Sequence, residues 1–105
     1  MPSLAPQTQS KPKSFKNQER ASSVLKAMAN SHRLKILCHL SYEESSVSEL
    51  EEITGLSQSA LSQHLAKLRQ GKLVKTRRNA QTIYYSLDGN VALLVLSALQ
   101  NAKLI

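Results

Sequence analysis

From Phe15 to about Ala29 the apolar residues Ala21, Val24, Leu25 and Met28 recur at the three-and-four spacing of one helix face. The same period runs through His32 to Leu40, with Leu34, Ile36 and Leu37 inward, Arg33 and Lys35 outward, and Asn30 or Ser31 placed to cap the start. Ser46 opens a third helix as one half of a capping box, because Glu49 follows three residues later and can answer the Ser46 backbone. Gly55 ends that helix by supplying a left-handed conformation, and Ser57 caps the next. In this fourth helix Leu61, Leu65 and Leu68 form a narrow apolar stripe, and Gly71 is expected to stop it as Gly55 stops the third. Two short β-type runs follow, Leu73-Val74 and Ile83-Tyr84-Tyr85-Ser86-Leu87, joined across Arg78-Asn79-Ala80. Asp88 and Asn90 are the expected caps of a last helix, Val91 to about Lys103, which is apolar at Val91, Leu93, Leu94, Val95, Leu96 and Leu99.

Two helices a few residues apart, followed by a basic-tipped hairpin and a closing helix, predict a winged helix-turn-helix. The expected fold class is therefore mainly α with a small β-hairpin wing, in the order α-α-α-α-β-β-α. Residues 1 to 14 hold all three prolines with Gln, Ser, Thr and two lysines, a linker composition expected to be a disordered tail ahead of a domain at 15 to 105. Leu93, Leu94, Val95 and Leu96 cannot all face one small core, so the domain is expected to be dimeric.

Charge sharpens this picture. The net charge is +7 on 105 residues, and none of the seven acidic residues lies between Ile53 and Leu87, a stretch that holds Lys67, Arg69, Lys72, Lys75, Arg77 and Arg78. That asymmetry is the footprint of a phosphate binder, although a solvated basic face would show the same charge.

The fourth helix separates the two. Ser59, Ser62, Gln63 and Ala66 lie opposite the leucine stripe, polar but uncharged and short, where an ordinary solvent face carries Lys and Glu. Such side chains can enter a major groove, where Gln suits bidentate pairing with adenine and Ser can donate or accept. The candidate contacts to double-stranded DNA are thus Gln58, Ser59, Ser62, Gln63, His64 and Lys67 on this helix, Arg33 on the second, and Arg77, Arg78 and Asn79 at the wing. His64 sits at the edge of the stripe with no second ligand three or four residues away, which favours packing or a phosphate bond over metal binding. Asn79 tolerates turn geometry, so the wing tip can lay its cations against a backbone or into a minor groove.

Other classes fit less well. A single cysteine leaves no intrachain disulfide and no Cys-rich zinc framework, which suits a reducing cytoplasm. The longest apolar run, Val91 to Leu96, falls far short of the roughly twenty residues that a bilayer span needs. No nucleophile stands beside a base and no glycine loop could cradle phosphate, so neither an enzyme nor a cofactor is expected. An RNA reader would display stacking aromatics, for which Tyr84 is the one candidate, and a winged helix used only as a protein-interaction module or anti-repressor would have no use for the groove-compatible face.

Three blocks carry a family resemblance: Leu-Lys-Ala-Met-Ala-Asn-Ser-His-Arg-Leu-Lys-Ile-Leu-Cys at 25 to 38, Leu-Ser-Gln-Ser-Ala-Leu-Ser-Gln-His-Leu-Ala-Lys-Leu-Arg at 56 to 69, and Ala-Gln-Thr-Ile-Tyr-Tyr-Ser-Leu at 80 to 87. In order and spacing they resemble the ArsR/SmtB family of bacterial transcriptional repressors, and most closely its HlyU/BigR/SqrR-like branch. The resemblance implies a homodimer joined through its first and last helices that occupies a palindromic operator and leaves it when an inducer is sensed. Many members sense metal through cysteines in the third helix, where this chain has Val47-Ser48-Glu49-Leu50, or through His and Asp pairs in the last helix, where it has none beyond Asp88. The branch implies sensing of oxidants or reactive sulfur by two cysteines. Cys38 matches the first, while Ala102-Lys103-Leu104-Ile105 occupies the place of the second. Cys38 is therefore a candidate thiol sensor whose residue type, on the inward side of an apolar helix, also suits a small core residue.

Overall fold

The computed structural model describes residues 18–105. The expected tail at 1 to 14 and the predicted start of the first helix at Phe15 lie outside the described residues. The elements are α1 (Gln18–Met28), α2 (Ser31–Leu40), β1 (Ser45–Ser46), α3 (Val47–Thr54), α4 (Gln58–Gln70), β2 (Val74–Asn79), β3 (Thr82–Leu87) and α5 (Val91–Asn101). The chain is mainly helical with a small antiparallel wing, and the sequence pattern had foretold every element except β1.

Local chemistry accounts for most boundaries. The Asn30 side chain accepts from the His32 and Arg33 amides and starts α2. The capping box at α3 is complete: Ser46 Oγ accepts from Glu49 N at 3.2 Å and Glu49 Oε1 accepts from Ser46 N at 2.7 Å. Gly55 closes α3 at φ +71°, as expected.

Gly71 does not act in the same way. Its φ is −78°, and the left-handed residue is its neighbour Lys72 at +59°. Leu73 N bonds Leu68 O and Lys72 N bonds Arg69 O, the paired closure that lets the chain reverse with lysine at the strained position. Glycine at 71 leaves room for α1, since a Cβ there would meet the Ala27 Cβ at 3.2 Å, closer than ordinary contact. At α5 the expected side-chain caps are absent: Asn90 makes no cap hydrogen bond, and Asp88 N instead donates to Leu73 O at 2.9 Å.

Buried Ile36, Leu37, Leu50, Leu61, Leu68 and Leu73 form the centre of the core, with Val24, Ala27 and Met28 closing it from α1 and Ala92 and Leu96 from α5. The expected inward set on α1 requires correction. Ala21 and Leu25 face out, Leu25 being 57% exposed, because α1 touches the core with only the strip carrying Val24, Ala27 and Met28. Ala21 and Leu25 instead line an open groove of about 390 Å³ with Arg20, Val24, Val91 and Val95, between α1 and α5.

The sheet order is β1-β3-β2, all antiparallel. Strand β2 starts at Val74 and runs on to Asn79, which pairs with Thr82, so the hairpin turns on Ala80 and Gln81 rather than across Arg78 to Ala80. Ala80, not Asn79, takes the positive φ, +60°. Strand β1 is two buried serines paired with Tyr84 and Tyr85, which the apolar pattern could not reveal.

Candidate nucleic-acid interface

Helices α3 and α4 meet across a three-residue turn whose angle is set by Thr54. Its hydroxyl donates to Leu50 O at 2.7 Å and accepts from Leu56 N at 3.2 Å, while Ser57 Oγ accepts from Ala60 N at 3.2 Å. With Leu61, Leu65 and Leu68 buried, α4 can rotate no further, and Gln58, Ser59, Ser62, Gln63 and Lys67 are all exposed. None of the four uncharged side chains is tied to another group among the described residues, so their donors and acceptors are free for a ligand.

The expected cationic contacts divide into two groups. Arg78 and Asn79 are exposed at the wing and Lys67 on α4. Arg77 is fastened midway along the wing: Nε and Nη2 donate to the two Glu44 carboxylate oxygens at 2.8 Å each, and the guanidinium lies 4.5 Å over the Tyr84 ring. The hydrogen bonds from Arg77 hold the Glu44 carboxyl below the usual carboxylate range. Arg33, expected to point outward, is half-buried and turns back to the end of α1, donating to Ala27 O at 2.6 Å and Lys26 O at 3.3 Å. Those carbonyls are left over at a helix C-terminus, where a cation is favoured.

His64 is half-buried and accepts at Nδ1 from Arg33 Nη1 at 3.1 Å. Burial, then the charges of Arg33 and His32, push its pKa down from the ordinary imidazole value. Cys38 is half-buried in the seam between α2 and α5 and borders a cavity of about 380 Å³ with Ser41, Tyr42, Leu93, Leu96 and Ser97.

Sequence reasoning missed four residues that shape the site: Thr54, Glu44, Tyr84 as the partner of Arg77, and His32. For Thr54 a signal existed, since a hydroxyl one residue before a C-terminal glycine can bond back into the last turn. Glu44 and His32 gave none, because their partners lie more than thirty residues away.

A family model described as "Bacterial regulatory protein, arsR family" matches residues 30–76, from the cap of α2 into the wing. Nodulation protein NolR of Rhizobium meliloti is 52% identical over 90 residues, spanning 86% of this chain and 74% of NolR. The structure of HlyU from Vibrio cholerae, a protein described as a transcriptional activator, superposes with a TM-score of 0.79 at 48% identity, covering 85% of this chain and 97% of that one. The transcriptional repressor BigR from Xylella fastidiosa gives 0.76 at 37% identity over 83% and 89% of the two chains. An α4 face left free for a groove, a basic wing, and three regulators alike over most of their length converge on one assignment: the chain belongs to the arsR family of bacterial regulatory proteins and is a winged helix-turn-helix, DNA-binding transcriptional regulator.

Proposed function

We propose that the chain works as a homodimer of the repressor type, in which the two copies of α4 enter successive major grooves of a twofold-symmetric operator. The observation that carries this is the free, uncharged face of Ser59, Ser62 and Gln63 beside an exposed cationic wing. Gln63 and Ser59 read base edges, Gln58 and Ser62 flank them, and Lys67, Arg78 and Asn79 hold phosphates. Arg77, engaged by Glu44, sets the angle of the wing rather than serving as a primary phosphate contact. The protomers join through the apolar flank of α1 and α5, where Leu25, Val91, Leu93 and Leu94 stand exposed. None of the described helices is long and apolar enough to cross a membrane, and the proposed site of action is the cytoplasm, where the operator lies.

Occupancy of such an operator blocks transcription when it overlaps a promoter. The test is selection of bound duplexes from a random-sequence pool. The expected product is a pair of inverted half-sites about one helical turn, roughly 34 Å, apart. Recovery of a single asymmetric half-site, bound by one protomer, would overturn the dimeric reading.

A further inference from the structure

On the flank of α4 that faces α1 and α2, three ionisable side chains meet. The rings of His32, exposed in the first turn of α2, and His64 lie 5.4 Å apart, and Arg33 Nη1 donates to His64 Nδ1 at 3.1 Å. Because a guanidinium only donates, that Nδ1 carries no proton, and the neutral His64 ring holds its proton on Nε2. The remaining hydrogen bonds of Arg33 go to the backbone oxygens of Ala27 and Lys26. The groups facing His64 are thus Arg33 and His32 from α2. Lys67 stands one turn along its own helix, and from α1 Lys26 lines the adjoining open groove with Arg33 and Lys67.

Among the described residues no carboxylate pairs with any of these five side chains. The third histidine, His39, lies apart at the far end of α2, 3.7 Å from Glu43. The cluster is consequently a set of basic side chains without a counter-ion, and in the free protein burial and then the neighbouring Arg33 and His32 disfavour the charged form of His64.

We propose that this seam is a seat for a phosphodiester of the operator backbone, distinct from the wing and the base-reading face, and that filling it takes up a proton at His64. The proposal rests on the chain being a duplex binder. A phosphate is the counter-ion that the cluster lacks, and His64 Nε2 and the exposed His32 ring supply donors beside the first turn of α2, where the helix dipole also favours an anion. The proton comes from solvent and adds to His64 Nδ1, the ring nitrogen that lacks one, so Arg33 Nη1 gives up its hydrogen bond there as the seat fills.

The sign follows directly. In the free protein the histidine titrates low, and against a phosphate it titrates higher, so the complex binds more protons than its parts and affinity rises as pH falls through the imidazole range. A phosphate contact made by a lysine or an arginine in general keeps its charge through that range. The pH dependence therefore isolates the seam from the rest of the interface.

The test is fluorescence anisotropy with the full chain at constant ionic strength, from about pH 8 to about pH 6, on a random-sequence duplex of about three helical turns and on the selected operator. Wild-type affinity is expected to rise about tenfold or more across that range. His64→Gln keeps an oxygen acceptor for Arg33 but cannot titrate, and His32→Gln changes only an exposed residue. Each should flatten the curve relative to wild type, and the double variant should abolish the slope. Tight binding that is indifferent to pH in the wild type, or a slope that survives in the double variant, would overturn the phosphate seat and leave the proposed function standing. No duplex binding at any pH would overturn both.

Discussion

Replacing Leu94 by alanine puts a number on the apolar flank. In the protomer this side chain is 62% exposed, so it adds little to the core of a single copy. Burying a whole leucine side chain is worth about 2 kcal/mol, so the 62% still in water leaves about 1.2 kcal/mol to be gained under a partner. A twofold interface uses each residue twice, which brings the loss on truncation to about 2.4 kcal/mol, or about fifty-fold in the dimer dissociation constant. Sedimentation equilibrium over a dilution series reads that constant, and the melting temperature should move little at dilutions where both proteins are monomers, because the loss lies in the interface. Binding to the operator should weaken in parallel at nanomolar protein, because only a dimer engages both half-sites. An unchanged dissociation constant for Leu94→Ala, or a monomeric wild type that still fills a symmetric operator, would refute the assignment of this face.

Gln63→Ala is expected to lose discrimination between bases by about 1 to 3 kcal/mol per good contact with little effect on random duplex, whereas Arg78→Ala should weaken all sequences alike and flatten the plot of log affinity against log salt by about one unit per subunit. Competition titrations at several salt concentrations separate them, and an unchanged slope removes Arg78 from the phosphate contacts. For Cys38, half-buried with no second thiol in the chain, peroxide or polysulfide is expected to leave DNA binding of wild type and Cys38→Ser alike. Complete, thiol-reversible release of the wild type alone would show that a single modified cysteine suffices. Fold stability without DNA should be greatest above the ordinary imidazole pKa and should fall as pH drops through the lowered value of His64, since the unfolded chain binds that proton more readily; urea titrations across this range should show the decline shrinking in His64→Gln.

Legibility in the sequence followed the range of the forces involved. The Ser46 and Glu49 box, the Gly55 turn and the leucine stripe of α4 are set by residues within one or two turns of each other, so spacing alone exposes them. Spacing presents Gly71 as a turn residue, whereas in the fold it gives room to Ala27, forty-four positions earlier. Asn79 is the better left-handed residue in isolation, yet strand register, fixed by pairing from Val74↔Leu87 outward, moves the turn to Ala80 and Gln81. Leu25 carries the core period of α1 yet stands exposed, because helical period reports a face without saying what covers it. The uncharged face of α4 was visible at once, whereas the Arg33 and His64 bond and the Glu44 and Arg77 latch join elements distant in sequence and left no local trace.

Ser46 belongs to two structures at once. It pairs with Tyr84 in the sheet and caps α3 with its side chain, so there is no linker between the reading head and the wing. Head and wing thus behave as a single rigid tool, and the span between base contacts and backbone contacts is a fixed gauge that no ligand can widen within one subunit without unpicking the sheet and the helix start together. In the proposed dimer, a signal that lifts the regulator from its operator would then act on the spacing and tilt between two intact tools, in the way that callipers are opened at the joint and not at the points.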